Sequence, residues 1–250
     1  MKKILKSTAE ALLPRELFER LRGEWNRRRF GPKRVNFGDL RKTTPVAREF
    51  GYPRGEPIDR YFIGKFLAKN SDAIRGRVLE IADRDYTRRF GGDRVTQSDV
   101  LHVVEGNPHA TIVGNLEESE TVPAAAFDCI ILTQTLQFTY RFHDALRTTF
   151  RALKPSGTLL ATFPIISQVS LSDADQGWPD YWRFTSHAAR RMLADIFGQE
   201  NVQVESFGNV LTAISFLLGI STQELTLSEL DEIDPEFEML AAARAQRRAV

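Results

Sequence analysis

Between Arg77 and Phe163 the chain alternates short apolar runs with amphipathic segments, and this alternation restricts its fold more than any other feature. The runs Arg77 to Ile81, Arg94 to Ser98, Ala110 to Val113, Phe127 to Thr133 and Thr158 to Phe163 read as strands. Between them, a helical turn is expected around Thr87 to Phe90 and a helix over Phe142 to Leu153. Strands alternating with helices imply an α/β class with a doubly wound, mostly parallel sheet and helices on both faces. Downstream, Ala189, Met192, Leu193 and Ile196 give Ser186 to Phe197 a helical period, and Val202 to Phe207 is strand-like. Asn209 to Gly219 is compatible with a strand or a buried helix, because periodicity does not separate the two in short apolar runs.

The first 57 residues behave differently. Ile4, Leu5, Ala9, Leu12 and Leu13, then Leu17, Phe18, Leu21 and Trp25, fall at helical spacing, with Pro14 expected to break the run into two short helices. Residues 31–57 hold four prolines and four glycines and read as a connector or irregular lobe. Ile58, Tyr61, Phe62, Phe66 and Leu67 then start a helix. The expected organisation is a basic, helical N-terminal extension over 1–57 and an α/β domain over 58–250. At 250 residues the chain has room for one such domain and an appendage.

Charge divides the chain as well. Residues 1–60 carry sixteen Lys and Arg against eight Asp and Glu, whereas Glu224 to Glu238 is strongly acidic. The basic start would suit an anionic membrane surface or a protein contact; it would equally suit a solvated face, or packing near the acidic stretch. Nucleic acid is a disfavoured partner, since the basic start is its only support. Apolar residues make up 42% and charged residues 27%, which excludes a disordered or fibrous chain. One cysteine, Cys129, leaves no internal disulfide and points to a cytoplasmic setting. No run reaches the ~18 apolar residues of a membrane span, and the first residues lack the apolar core of a signal peptide.

In open α/β sheets ligands bind beyond the carboxyl ends of the strands, so those ends carry the candidate residues. The first strand ends in Glu80, Ile81, Ala82 and Asp83, and the turn after it has no glycine until Gly91. Asp99 lies about twenty residues beyond Glu80, the separation at which a carboxylate in a βαβ unit reaches ribose hydroxyls. Gly114, Asn115 and Leu116 follow the third strand, and Thr133, Gln134 and Gln137 close the fourth. His102, His109, His143 and His187 show no metal spacing, so no metal is expected. The G-x-G-x-x-G fingerprint of nicotinamide-dependent oxidoreductases is absent.

In order and wording, GRVLEI, VTQSD, ATIVGNL, FDCIILTQTLQF and LKPSGTLLATFP resemble the landmarks of class I S-adenosylmethionine-dependent methyltransferases, over roughly residues 60–210. The string DYWRFT, Asp180 to Thr185, is similar to one in members associated with bacterial glycan and glycosyl-transfer pathways. The resemblance implies a Rossmann-like domain, S-adenosylmethionine as cofactor, and methyl transfer to oxygen on a small-molecule or saccharide acceptor. It implies that Glu80 anchors the methionine end, that Asp99 takes the ribose hydroxyls, that Asn115 and Leu116 face the adenine, and that Thr133 to Gln137, including Gln134, line the cofactor near its methyl.

Two positions depart from that family. Ala82 stands where a first glycine is expected, and Asn115 where an aspartate is common. A left-handed Ala82 would cost roughly 1 kcal/mol or more. Side chains can compensate: Asp83 and Asp85 could accept from an ammonium, and Tyr86 and Thr87 could donate to a carboxylate. The alternative is a degenerate turn on a non-catalytic methyltransferase-like scaffold or partner-binding module. Candidate bases for a hydroxyl acceptor are His143, Asp180 and His187, each also explicable as a helix-start or turn residue. Trp178, Tyr181 and Trp182 could stack on a sugar beside an anion-binding Arg183, or simply plug the sheet edge.

Overall fold

The computed structural model describes residues 14–30, 37–171 and 178–249. The expected helix before Pro14 and residues 31–36 of the basic N-terminal extension lie outside them. The chain forms two compact units, Met1–Thr43 and Thr44–Val250. In the first, helix α1 (Arg15–Phe30) starts directly after Pro14, whose carbonyl accepts the Phe18 N–H at 3.0 Å. Leu17, Leu21 and Trp25, spaced four apart, are exposed along one stripe of it.

The second unit is built on seven strands: β1 (Gly76–Ile81), β2 (Val95–His102), β3 (Ile112–Val113), β4 (Phe127–Thr133), β5 (Leu153–Pro164), β6 (Val202–Phe207) and β7 (Leu240–Gln246). Their order is β3-β2-β1-β4-β5-β7-β6. The first five are mutually parallel, and β7 runs antiparallel between β5 and β6. Helices α2 (Ile58–Lys69), α3 (Phe142–Ala152), α4 (Ser186–Phe197), α5 (Val210–Leu218) and the short α6 (Leu227–Asp231) surround the sheet. The expected Rossmann-like α/β fold is present.

Successive strand residues feed two different cores. Leu79, Ile130, Leu159 and Ala243 join α3 and α4 on one face, whereas Val78, Ile131, Leu160 and Ala242 join α2 and α5 on the other. This follows from the two-residue period of a strand, and it explains why the strands read as continuous apolar runs.

Several expectations need adjustment. Asn209 to Gly219 is helical: the Asn209 side chain accepts the Thr212 N–H at 3.0 Å, the Thr212 hydroxyl accepts the Asn209 N–H at 2.9 Å, and Gly219 ends the helix in the left-handed region at φ 70. The Leu218 carbonyl at that end accepts the Val46 and Ala47 N–H groups, so the second unit starts ahead of residue 58. β2 continues to His102, beyond the expected Ser98. The acidic stretch folds onto the same unit, where Asp231 accepts from Tyr61 at 2.7 Å and Lys65 at 2.6 Å, and Glu224 from Arg54 at 2.9 Å.

Strand β7, LAAARAQ, has no counterpart among the sequence expectations. Alanine favours helices, and its strand propensity is low. Here Ala241, Ala242, Ala243 and Ala245 are fully buried between the helices of the two faces, where small side chains fit. Ala243→Leu is therefore expected to destabilise the protein by about 1–3 kcal/mol through overpacking. An unchanged urea midpoint would contradict this packing.

Candidate functional site

The carboxyl ends of the parallel strands meet at one edge, with β1 and β4 adjacent at the point where the strand order reverses. Glu80, 2% exposed, governs the turn after β1. Its carboxylate accepts the Thr87 N–H at 2.8 Å, the Thr87 hydroxyl at 2.7 Å and the Tyr86 N–H at 3.1 Å. Burial pushes this carboxyl up to about 7, outweighing the three donated bonds that favour its charged form. Thr87 is thus spent on Glu80 and buried, not free for a ligand. Ala82 lies at φ 69, in the left-handed region. Its N–H donates to Leu101 O at 3.0 Å, and its carbonyl accepts from Asn107 at 2.7 Å, so β2 and the loop after it hold the strained residue. Asp83 accepts the Asp85 N–H at 3.0 Å and stays exposed with it. Tyr86 accepts a hydrogen bond from Arg60 of α2 at 3.2 Å.

Asp99, expected to reach the ribose hydroxyls, is engaged within the protein. It pairs in register with Leu79, three residues before the end of β2. Its carboxylate accepts from Arg77 Nε at 2.7 Å, Gln97 at 3.1 Å and the Thr111 hydroxyl at 2.9 Å. Both oxygens are committed inside the protein, and the end of β2 is occupied by His102. The count of twenty residues reached a mid-strand position because β2 is longer than its sequence suggested. Asn115 accepts the Glu117 N–H at 2.9 Å and is half-buried after β3, while Leu116 is buried in the core.

Beyond β4 the edge opens into a cavity of about 140 Å³. Its polar lining consists chiefly of Asp59, Arg60, Gln134, Gln137, Asp180 and Arg183. Gln134 sits at φ 47 directly after Thr133, which closes β4. Gln137 donates to the Gln134 carbonyl at 2.9 Å, which leaves its own side-chain oxygen facing away from that bond.

The DYWRFT string clamps this turn. Tyr181 and Trp182 N–H groups reach Gln137 O at 2.7 and 3.3 Å, and the Trp182 indole reaches Thr139 O at 3.1 Å. Asp180 and Arg183 form a two-pronged ion pair, and the Ser170 N–H adds a bond to Asp180 at 3.1 Å. Asp180 therefore borders the cavity as a paired carboxylate instead of a free base, and Arg183 is likewise engaged. The expected aromatic platform is divided: Trp182 packs on Phe142 and Tyr140, Tyr181 meets Tyr140 at the surface, and Trp178 packs edge-on against His102. His143 and His187 are exposed near the starts of α3 and α4, and neither lines the cavity.

The residue that sequence reasoning missed is Asp59. It is 6% exposed at the first turn of α2, and burial raises its carboxyl above the usual range. A signal was present, because Asp59 precedes Phe62, Ile63 and Phe66 by three, four and seven residues, which places it on the buried face of the helix.

Two outcomes follow for the turn. Ala82→Gly relieves the left-handed strain and is expected to stabilise the fold by up to about 1 kcal/mol in urea unfolding; a loss of stability would contradict it. For Glu80, the folded carboxyl titrates near 7 against an ordinary 4.5, so its favourable contribution is complete below the lower value and lost as pH rises through the upper. Glu80→Gln should remove that dependence: wild-type stability relative to the variant is expected to fall by on the order of 1–3 kcal/mol between about pH 4.5 and 7.5. A pH-independent difference would refute the assignment.

Comparison with known proteins agrees with this architecture. Residues 76–161 match a family described as a methyltransferase domain, a span from β1 into β5. No curated protein matches the chain. Among solved structures it is similar to a SAM dependent methyltransferase from Archaeoglobus fulgidus, at 13% identity and a TM-score of 0.50, over 75% of this chain and 94% of that one. It is also similar to the CMeT domain of the citrinin polyketide synthase, at 13% identity and a TM-score of 0.50, over 78% of this chain and 54% of that one. At such identities the likeness is one of fold. The family match over β1 into β5 and the fold agree in describing a Rossmann-like, methyltransferase-like domain.

Proposed function

We propose that the protein transfers a methyl group from S-adenosylmethionine to an oxygen of a saccharide or glycan-pathway intermediate. The observation that carries the reading is the turn held closed by Glu80 at the β1–β4 junction, the place where an open α/β sheet receives a nucleotide-type ligand. The residues present fit the cofactor there. The turn is already shaped without glycines, Thr133 and Gln134 end the neighbouring strand, and the Gln134 side-chain oxygen is buried without a hydrogen-bond partner among the described residues. When bound, the cofactor supplies an electrophilic methyl on a sulfonium. The chain has then to hold and align the acceptor, and positioning provides most of the rate effect.

In this reading Ala82, Asp83 and Tyr86 flank the methionine end, Thr133, Gln134 and Gln137 line the methyl, and Asn115 and Leu116 border the adenine. Because Asp99 is paired with Arg77, a ribose contact falls to the end of β2, around His102 and its neighbour Trp178. The saccharide acceptor is supported by the DYWRFT string and its position beside the cavity. The exposed apolar stripe of α1 with its arginines supports contact of the N-terminal extension with an anionic membrane surface or a protein. Among the described residues no helix is long and apolar enough to cross a membrane.

The committed Asp99 also favours a second reading, a non-catalytic scaffold that has lost its cofactor. Calorimetric titration with S-adenosylmethionine and S-adenosylhomocysteine separates the two. Saturable binding of both, lost in Glu80→Ala, is expected. No binding by folded protein up to millimolar ligand would favour the scaffold.

A further inference from the structure

The cavity beyond β4 lies over the ends of β4 and β5 and the start of β7, on the far side of the β1–β4 junction from the turn after β1. Three oxygens of its lining residues, Asp59 Oδ1, Gln134 Oε1 and Gln137 Oε1, are buried and have no hydrogen-bond partner among the described residues. Buried acceptors without donors are unfavourable, and the three residues that carry them all border one cavity. Asp59 and Gln137 are each 6% exposed, so water reaches them poorly. The orientation of the Gln137 amide follows from its neighbour: its NH2 faces the Gln134 carbonyl, which can only accept, so the oxygen is left over.

Charge around the cavity is balanced. Asp59 stands 3.8 Å from Arg60 Nε, and Asp180 is paired with Arg183, two carboxylates against two guanidiniums. An extra cation is therefore not demanded; the unpartnered polar atoms of these lining residues are the three acceptors and one donor, Arg60 Nε, a set that hydroxyls can serve because they both donate and accept. The rest of the wall is mainly apolar, with Phe50, Phe138, Ile166 and Phe216 beside the hydroxyl-bearing Ser167 and Ser170, and Phe50 stacks on Phe216 at 6.0 Å. Phe50 and Gln134, both bordering the cavity, are held at φ 59 and 47, the kind of backbone strain that collects at ligand sites. A volume of about 140 Å³ is below the ~300 Å³ of a drug-sized site and suits one small ring or one end of a larger molecule.

We propose that this cavity is the acceptor subsite, taking an uncharged, hydroxyl-bearing ring whose hydroxyls donate to Asp59, Gln134 and Gln137 while its carbon face lies on Phe50 and Phe138. The assignment of the ring as methyl acceptor rests on the methyltransferase reading; the binding site itself does not. Asp59 selects for donors, and the DYWRFT clamp fixes the turn that carries the two glutamines.

The test uses the full chain and three probes followed by ligand-observed NMR: methyl β-D-glucopyranoside, glucosamine and cyclohexanol. The glycoside is expected to bind saturably, with Asp59→Leu and Gln137→Leu each weakening it about tenfold or more. Asp59→Leu is close in size but leaves Arg60 without its carboxylate neighbour, so circular dichroism verifies that it folds, and Gln137→Leu carries the test if it does not. S-adenosylhomocysteine affinity, measured in parallel, should be little changed in Asp59→Leu.

Cyclohexanol binding as tightly as the glycoside, with neither variant affecting either, would overturn the subsite. So would glucosamine binding tenfold more tightly than the glycoside, or no probe binding by folded wild type up to about 10 mM. Glycoside binding without any S-adenosylhomocysteine binding would uphold the subsite and remove the methyltransferase reading.

Discussion

A sheet covered on both faces leaves only its strand ends for polar chemistry, and this constraint organises the second unit. Val78 and Leu79, Ile130 and Ile131, Leu159 and Leu160 bury alternate side chains in opposite cores, so the middles of β1, β4 and β5 are apolar. Glu80 lies where β1 is about to leave that environment. Three donors from residues 86 and 87 satisfy it, and in doing so close the turn that a glycine-rich sequence would otherwise shape. Ala82 carries the resulting strain, with Asn107 and Leu101 fixing its carbonyl and N–H. The turn is thus held by side chains in place of glycine flexibility.

The other end of the site depends on the DYWRFT segment. Its backbone N–H groups and the Trp182 indole are directed at carbonyls of residues 137–139, and the Asp180–Arg183 pair ties it to Gln168 and Ser170. Residue types suited to stacking on a sugar are used in large part as internal struts. The result is a support for Gln134 and Gln137, which border the cavity.

The sequence showed the parts of the fold whose signals are local. Ser186 to Phe197 and Val202 to Phe207 match their elements because the period and the flanking residues agree. β7 was hidden because Ala241 to Ala245 is a helix-like composition, chosen here for narrow space between layers. Asp99 illustrates a different limit: its separation from Glu80 does not reveal the register against Leu79, which places it three residues before the end of β2. Asp59 was legible and overlooked, since a carboxylate in step with Phe62, Ile63 and Phe66 belongs to a buried face. The cavity around it joins residues from seven separate stretches, which no local pattern reveals.

The most direct measurement is residue-resolved amide hydrogen exchange with and without S-adenosylhomocysteine. If Glu80 preforms the site, the Tyr86 and Thr87 amides are protected before ligand is added. The ligand should then add protection at 82–87, 114–116 and 133–137, the turns that follow β1, β3 and β4. Rapid exchange of Tyr86 and Thr87 in the free protein, or ligand protection confined to other regions, would contradict the assignment.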